Sequence, residues 1–207
     1  NFKTGIFTNL SHDHLDYHKS FKDYLNSKLY LFEKLLKKKS TIITDFNIPE
    51  YKRIKNISLK KKTKLITILN KNSDLSVISH QYLEEKQLLK IKYKKNFYSF
   101  RLNLIGKTQV KNVLMAIIAA TKSNIKIKKI INVLNKIKSV HGRMEKVGTI
   151  NNNSCVILDY AHTPEALLTC LQNVRDQFKT RKISIVFGCG GDRDKFKRPI
   201  MGKITNK

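Results

Sequence analysis

Two apolar runs near the C-terminal end of the sequence each stop at a loop of polar and charged residues. Residues 156–158 run into Asp-Tyr-Ala-His-Thr-Pro, and residues 183–187 run into Gly-Cys-Gly-Gly-Asp-Arg-Asp. A helix is predicted after each loop, opened by Pro164 in the first case and reached through Pro199 in the second. This alternation predicts an α/β fold with a parallel sheet, whose ligands gather at the carboxyl ends of the strands.

The residues best placed for a site at these strand ends are Asp159, His162 and Arg193. A simpler interpretation is that Asp159 and Thr163 cap a helix and that the glycines only form a tight turn. Two such loops in succession, carrying an acid, a histidine and an arginine, favour a binding site.

The formal net charge of +27 over 207 residues raises the question of nucleic-acid binding. Only seven of the 42 basic residues are arginine, whose bidentate fork suits base recognition. The lysines are spread along the chain beside many Ile and Asn residues, a mixture typical of A/T-rich codon usage. We therefore expect no nucleic-acid partner, and a basic nucleic-acid-binding module remains the alternative from a different class.

The sequence also indicates in which cellular compartment the protein is expected. No apolar run approaches the roughly 20 residues needed to cross a bilayer, and no signal peptide is recognisable. The three cysteines (Cys155, Cys170 and Cys189) lack metal-ligand spacing. We expect a cytoplasmic monomer with free thiols and no membrane contact. The sequence begins with Asn1 rather than Met and stops within a predicted helix, so an internal fragment is expected.

Hydrophobic periodicity divides the chain into helical and β-rich parts. It predicts three helices, over residues 20–38, 110–121 and 127–137. Short β-rich runs fill residues 41–104. The pattern changes near residue 140, so we expect two domains, residues 1–140 and 141–207.

One residue breaks the apolar face of the first predicted helix: Lys28 lies near its centre. Burial favours a neutral amine, which can act as a nucleophile or take up carbon dioxide to form a carbamate. The alternative is a lysine that extends its ammonium to the helix edge. His14 and His18 stand four residues apart upstream, and a carbamate on Lys28 could share a Mg²⁺ ion with one of them. The alternative for this histidine cluster is an N-terminal capping region.

Two further candidates suit a nucleotide. Arg143 lies at the expected domain junction, where clefts commonly form, and an arginine suits a polyphosphate. An ion pair with Glu145 is the alternative. Asn112 opens the apolar helix and suits an adenine edge, although a polar contact within the helix is the simpler explanation. The glycine-rich loop after residue 187 suits an anion, but no Walker motif occurs in the sequence.

Several of these runs resemble the Mur ligase family of ATP-dependent amino-acid ligases. They are Thr-Asn-Leu-Ser-His-Asp-His-Leu-Asp-Tyr-His from Thr8, the segment from Tyr24 to Lys28, Gly-Arg-Met-Glu from Gly142, and the two loops described first. The resemblance is weak over residues 41–104. It implies a central Mur-ligase-type nucleotide-binding domain, incomplete here, followed by the start of a Rossmann-like C-terminal domain.

The resemblance implies a role for each candidate residue. Lys28 matches the carbamoylated lysine, and His14 matches a histidine that helps to hold Mg²⁺. Arg143 and Asp159 match residues that contact the phosphates and ribose of ATP, and Asn112 matches an adenine-binding asparagine.

The resemblance also implies how the substrates are handled. Arg193 matches the arginine that binds the carboxylate of the incoming amino acid. One departure is Gln109, where the family commonly has a second Asn three positions before Asn112. The implied partners are a UDP-linked muramoyl dipeptide and a diamino acid, with meso-diaminopimelate expected as the third residue. The dipeptide carboxylate is phosphorylated by ATP and the amine then attacks the acyl phosphate. Folylpolyglutamate synthase is the alternative within the superfamily. The chain alone is expected to be inactive, because it has no phosphate-cradling loop.

Overall fold

The computed structural model describes residues 2–11, 17–189 and 197–206. The strands are β1 (Phe2–Phe7), β2 (Leu36–Asp45), β3 (Lys64–Leu69), β4 (Leu75–Leu83), β5 (Lys86–Tyr93), β6 (Asn96–Leu102), β7 (Glu145–Ile150) and β8 (Ser154–Leu158). The α-helices are α1 (Phe21–Tyr30), α2 (Tyr51–Lys61), α3 (Lys107–Lys122), α4 (Ile127–Ile131), α5 (Pro164–Gln177) and α6 (Lys197–Thr205). Single turns of other helix types lie at Leu31–Leu35, Leu134–Lys136 and Asn151–Asn153.

Strands β1 to β6 form one six-stranded sheet in chain order. The pairs from β1 to β4 are parallel, and those from β4 to β6 are antiparallel. Neighbouring residues of β2 face opposite sides of the sheet. Ile43 packs in the core that contains α3, and Ile42 packs with residues of α1 and α2. Helices therefore cover both faces of the parallel part, and the predicted α/β class is confirmed.

The antiparallel part of the sheet is apolar on one face only. Residues of β5 alternate strictly between exposed and buried, with lysines among the exposed ones and Gln87, Leu89, Ile91 and Tyr93 buried. The buried face packs in the same core as α3, whose residues Val110, Val113, Leu114, Ile117 and Ile118 recur at helical spacing. The helix predicted over residues 110–121 is therefore confirmed.

The first predicted helix is shorter than expected. Helix α1 and the following π turn end at Leu35, and β2 begins at Leu36. The β-branched run 41–44 pairs with both β1 and β3, so sheet formation prevails over a longer helix. The β-rich region also contains α2, which was not predicted and buries Ile54 and Ile57.

The C-terminal part holds a second, two-stranded sheet that differs from the prediction. Strand β8 pairs with β7, and the pair is antiparallel. Only the turn Asn151–Asn153 connects them, which is too short for the crossover that parallel strands need. Residues 183–187 belong to no strand, and Val186 is fully exposed. The prediction that both runs are strands of a parallel sheet was therefore wrong, whereas α5 begins at Pro164 as expected.

Helix α5 packs on the six-stranded sheet through buried amide side chains. Asn173 hydrogen-bonds the backbone N–H and the hydroxyl of Thr108 at 3.2 and 2.9 Å. Gln177 accepts a hydrogen bond from the backbone N–H of Gly106 at 3.2 Å and donates to the carbonyls of Glu84 and Lys86. A small apolar cluster of Ile105, Met144 and Phe178 completes the contact. None of the helices in the described part of the chain is both long and apolar enough to cross a membrane.

Candidate functional site

Arg143 lies at the junction between the two sheets. Its loop turns through Gly142, whose φ of +65° suits glycine, and the carbonyl of Gly142 accepts a 2.8 Å hydrogen bond from the N–H of Tyr160. The Arg143 guanidinium lies 5.1 Å from the centre of the Tyr160 ring. The side chain is exposed, so the stacked guanidinium keeps its hydrogen-bond donors open to solvent.

Asp159 ties the end of β8 to this loop. One carboxylate oxygen accepts the N–H of Met144 at 2.9 Å, and the other accepts the N–H of Ala161 at 3.0 Å. The cap of α5 is Thr163, whose hydroxyl accepts the N–H of Ala166. The capping interpretation therefore holds for Thr163, whereas Asp159 fixes the geometry of two loops. Each of its oxygens retains a second acceptor position.

The alternative of an Arg143–Glu145 ion pair does not occur in the described part of the chain. Glu145 instead lies 2.8 Å from Nδ1 of His141 and accepts the N–H of Gly142 at 2.9 Å. The Arg143 guanidinium instead contacts the ring of Tyr160.

Helix α3 contributes two amides to the same junction. The Gln109 side-chain amide donates to the carbonyl of Arg143 at 2.8 Å, and Asn112 donates to the Gln109 side-chain oxygen at 3.4 Å. Asn112 is exposed and lies one turn into the helix rather than at its start. The structure therefore brings Asn112, Arg143 and Asp159 together, linked through Gln109 and the loop of Gly142.

Lys28 is half-buried rather than enclosed. Its ammonium donates to the carbonyl of Asn9 at 3.0 Å and lies 4.8 Å from the centre of the Tyr24 ring. The Tyr24 ring also stacks on the ring of His18, with ring centres 5.0 Å apart. His14 and Arg193 lie outside the described residues. Among the described residues, no three His, Cys, Asp or Glu side chains lie close enough to share a metal ion.

Sequence reasoning missed one ion pair at the carboxyl end of β2. Asp45 is buried, and its carboxylate lies 2.9 Å from the ammonium of Lys111 on α3. The other Asp45 oxygen accepts the N–H of Asn47 at 2.8 Å. The available signal was an acid directly after the run 41–44, the same kind of signal that pointed to Asp159. The pair fixes α3 at the edge of the parallel sheet where ligands bind.

A free thiol lies behind the Arg143 loop. The Cys170 thiol is 3.7 Å from the Met144 sulfur, and burial, with a smaller contribution from the Asp159 charge, raises the pKa of Cys170 to about 11. A thiol with so high a pKa is protonated at neutral pH and is a poor nucleophile. The chemistry that this junction supports is therefore binding through a cation, a carboxylate and amides.

Together these features define an α/β protein whose candidate site lies between the six-stranded and the two-stranded sheet. Residues 1–120 match the Mur ligase middle domain, and residues 142–207 match the Mur ligase glutamate ligase domain. The chain belongs to the Mur ligase family.

Individual relatives carry more specific names. The chain is 42% identical over 204 residues to the UDP-N-acetylmuramoyl-L-alanyl-D-glutamate--2,6-diaminopimelate ligase of Clostridium tetani, covering 98% of this chain and 41% of that protein. The ligase of the same name from Rickettsia bellii is 39% identical over 204 residues, covering 97% and 42%. The chain thus spans about two fifths of the length of these curated relatives.

Solved structures show the same fold. A ligase with the same name as these relatives superposes with a TM-score of 0.71 at 25% identity, covering 98% of this chain and 41% of that chain. The FPGS–AMPPCP–folate complex superposes with a TM-score of 0.76 at 16% identity, covering 99% and 48%. The second likeness concerns the fold alone.

Proposed function

We propose that this chain carries part of an ATP-dependent amide ligase that adds meso-diaminopimelate to UDP-N-acetylmuramoyl-L-alanyl-D-glutamate. The observation that carries the proposal is the hydrogen-bonded junction of Asn112, Gln109 and Arg143. It occurs in a chain 34–42% identical to relatives named for that reaction. We further propose that the chain divides into domains at residues 140 and 141, with this junction between them.

ATP is the ligand that the junction fits best. A guanidinium held on an aromatic ring offers planar, charge-assisted donors to phosphate oxygens. Asp159, already fixed by Met144 and Ala161, has acceptor positions left for ribose hydroxyls. Asn112 is exposed beside Gln109, and a side-chain amide can pair with the donor and acceptor edge of adenine. In this arrangement α3 holds the base and the loop of Arg143 holds the phosphates.

Mg²⁺ would reduce the charge on the transferring phosphoryl group when bound. The free amine of Lys28 offers no oxygen ligand, and in the described structure it donates to the carbonyl of Asn9. A carbamate on Lys28 would provide the missing oxygens, and we propose His14 as its companion ligand. The half-buried position of Lys28 leaves its amine accessible to carbon dioxide.

The remaining substrate contact is assigned to Arg193. Its guanidinium would bind the carboxylate of the incoming diaminopimelate, while the amine of that molecule attacks the acyl phosphate. Such a reaction on soluble nucleotide-linked substrates fits a cytoplasmic monomer.

An exchange experiment with a complete relative tests the proposal. The matched 204-residue segment of the Clostridium tetani ligase would be replaced by this chain. We expect ADP release that requires both the UDP-linked dipeptide and diaminopimelate. The same chimaera with Arg143→Ala should raise the KM for ATP at least about tenfold, since a charge-assisted contact worth roughly 1.5–3 kcal/mol is lost.

The outcomes separate the alternatives. A chimaera that folds, judged by cooperative thermal unfolding, but releases no ADP with these substrates contradicts the proposal. ADP release that instead requires a folate and glutamate assigns the chain to folylpolyglutamate synthesis. Lys28→Ala, with and without added short carboxylic acids, tests the carbamate separately, because such acids can replace its oxygens.

A further inference from the structure

A lysine-lined hollow lies between β3 and β4 of the six-stranded sheet. Strands β3 and β4 pair through only two residue pairs, Ile68 with Leu75 and Leu69 with Ser76. The earlier part of β3 diverges from β4 and leaves a hollow of about 350 Å³. This lysine hollow is lined in part by Lys64, Lys71, Lys92 and Lys94. It shares no lining residue with the Arg143 junction.

The lysine hollow carries an excess of positive charge. Four of its ten lining residues are lysines, a larger share than the 35 lysines among all 207 residues. Its one carboxylate is Asp74, which already accepts the N–H and the hydroxyl of Thr67 at 2.8 and 3.2 Å. Among the described residues, none of the four lysines forms an ion pair. Like charges gathered around a hollow repel one another, and an anion would relieve that repulsion.

A hydroxyl lines the lysine hollow beside one of these lysines. Ser76 lines the hollow, is only 3% exposed, and lies opposite Lys92 in the β4–β5 ladder, so the two side chains share one face. The Ser76 hydroxyl is therefore beside Lys92 at the wall of the hollow, and an oxyanion held by Lys92 would accept a hydrogen bond from it.

We propose that the lysine hollow binds a small phosphate-bearing molecule, with its phosphate oxygens between the lysines and the Ser76 hydroxyl. Tyr93 and Ile66 also line the hollow, but their side chains belong to the core on the α3 face of the sheet, so the rest of the lining is polar. The volume lies near the lower limit of small-molecule pockets, about 300–1,000 Å³, so a sugar phosphate or mononucleotide fits better than a polymer.

The test is a titration of the isotope-labelled chain with inorganic pyrophosphate at constant ionic strength, followed by amide NMR. Saturable shifts are expected at residues 72–76 and 92–94. Lys71→Gln with Lys92→Gln should weaken binding at least about tenfold, since two charge-assisted contacts are lost. The matched control is Lys52→Gln with Lys60→Gln, two exposed lysines of α2 that remove the same charge.

Ser76→Ala separates a built site from general attraction to a basic protein, because net charge does not change. It should weaken binding about fivefold, and Ser79→Ala, an exposed serine on the same strand, should have no such effect. The proposal is overturned if both lysine pairs weaken binding equally, or if Ser76→Ala binds as wild type. It is also overturned if the saturable shifts fall only on residues 142–144.

Discussion

Replacing Gly106 by alanine should strongly destabilise the contact between α5 and the sheet. Gly106 has a φ of +86° and caps the start of α3. Its N–H donates to Gln177, and its carbonyl accepts from the side chain of Gln87 at 3.2 Å. A β-carbon built on Gly106 would lie 2.8 Å from the β-carbon of Asn173, closer than such atoms normally approach.

Gly106→Ala destabilises the folded state in two ways, and the two free-energy costs add. A backbone conformation essentially reserved for glycine costs about 1–3 kcal/mol for alanine. Moving Asn173 away disrupts its two hydrogen bonds to Thr108, each worth about 1 kcal/mol. The sum, about 3–5 kcal/mol, is a large fraction of a typical stability of roughly 5–15 kcal/mol. With a urea m-value of about 2–3 kcal/mol/M, the unfolding midpoint should fall by about 1–2 M.

Urea unfolding followed by circular dichroism measures this shift. Gly148→Ala is the matched control, because a β-carbon there meets nothing within 4 Å and φ is not positive. It should change stability by less than about 0.5 kcal/mol. Equal midpoints for the two variants would refute the close approach of Gly106 and Asn173.

Two further predictions concern pH. Burial raises the pKa of Cys170 from 9.0 to about 11, so at pH 8 iodoacetamide should alkylate Cys170 about a hundredfold more slowly in the folded protein than in the unfolded chain. Mass spectrometry of the peptides measures the two rates, and equal rates would contradict the burial of the thiol. Burial lowers the pKa of His80 below 6.5, with a smaller opposing effect of its 2.7 Å contact to Gln87. The folded state therefore holds His80 neutral, and this contribution to stability is present above pH 6.5 and lost as the pH falls through the folded-state pKa. Urea unfolding between pH 7 and pH 5 should show a smaller loss of stability in His80→Gln, and parallel curves for the two proteins would exclude this role.

The features that the sequence predicted correctly depend on local signals. Pro164 after Thr163 marks the start of α5, and the spacing of apolar residues marks α3. The misses depend on partners distant in the chain. Whether residues 183–187 form a strand depends on a neighbouring strand, and the direction of β8 depends on the turn before it. Helix α2 was missed because its five lysine and arginine residues obscure the apolar positions Ile54 and Ile57.

The candidate site also combines residues that local sequence signals predicted with contacts that they did not. Asp159 and Arg143 were predicted from strand ends and the domain junction, and the structure places them in adjoining loops. The buried Asp45–Lys111 pair joins residues 66 positions apart, and nothing in the local pattern of either one specifies the other. Local pattern identifies residues suited to a site, and the packing of α3 decides which of them meet.

The amide side chains between α5 and the sheet have a consequence for how precisely the two parts are aligned. An apolar contact such as that of Ile105 with Met144 and Phe178 loses little when one surface slides by an ångström. Asn173 and Gln177 instead bond backbone groups at fixed points, and a hydrogen bond weakens steeply once its angle is lost. A rotation of α5 by one residue would leave buried amides without partners, at about 1–3 kcal/mol each. The interface therefore selects one rotational setting of α5, and with it the place at which the loop of Arg143 meets α3.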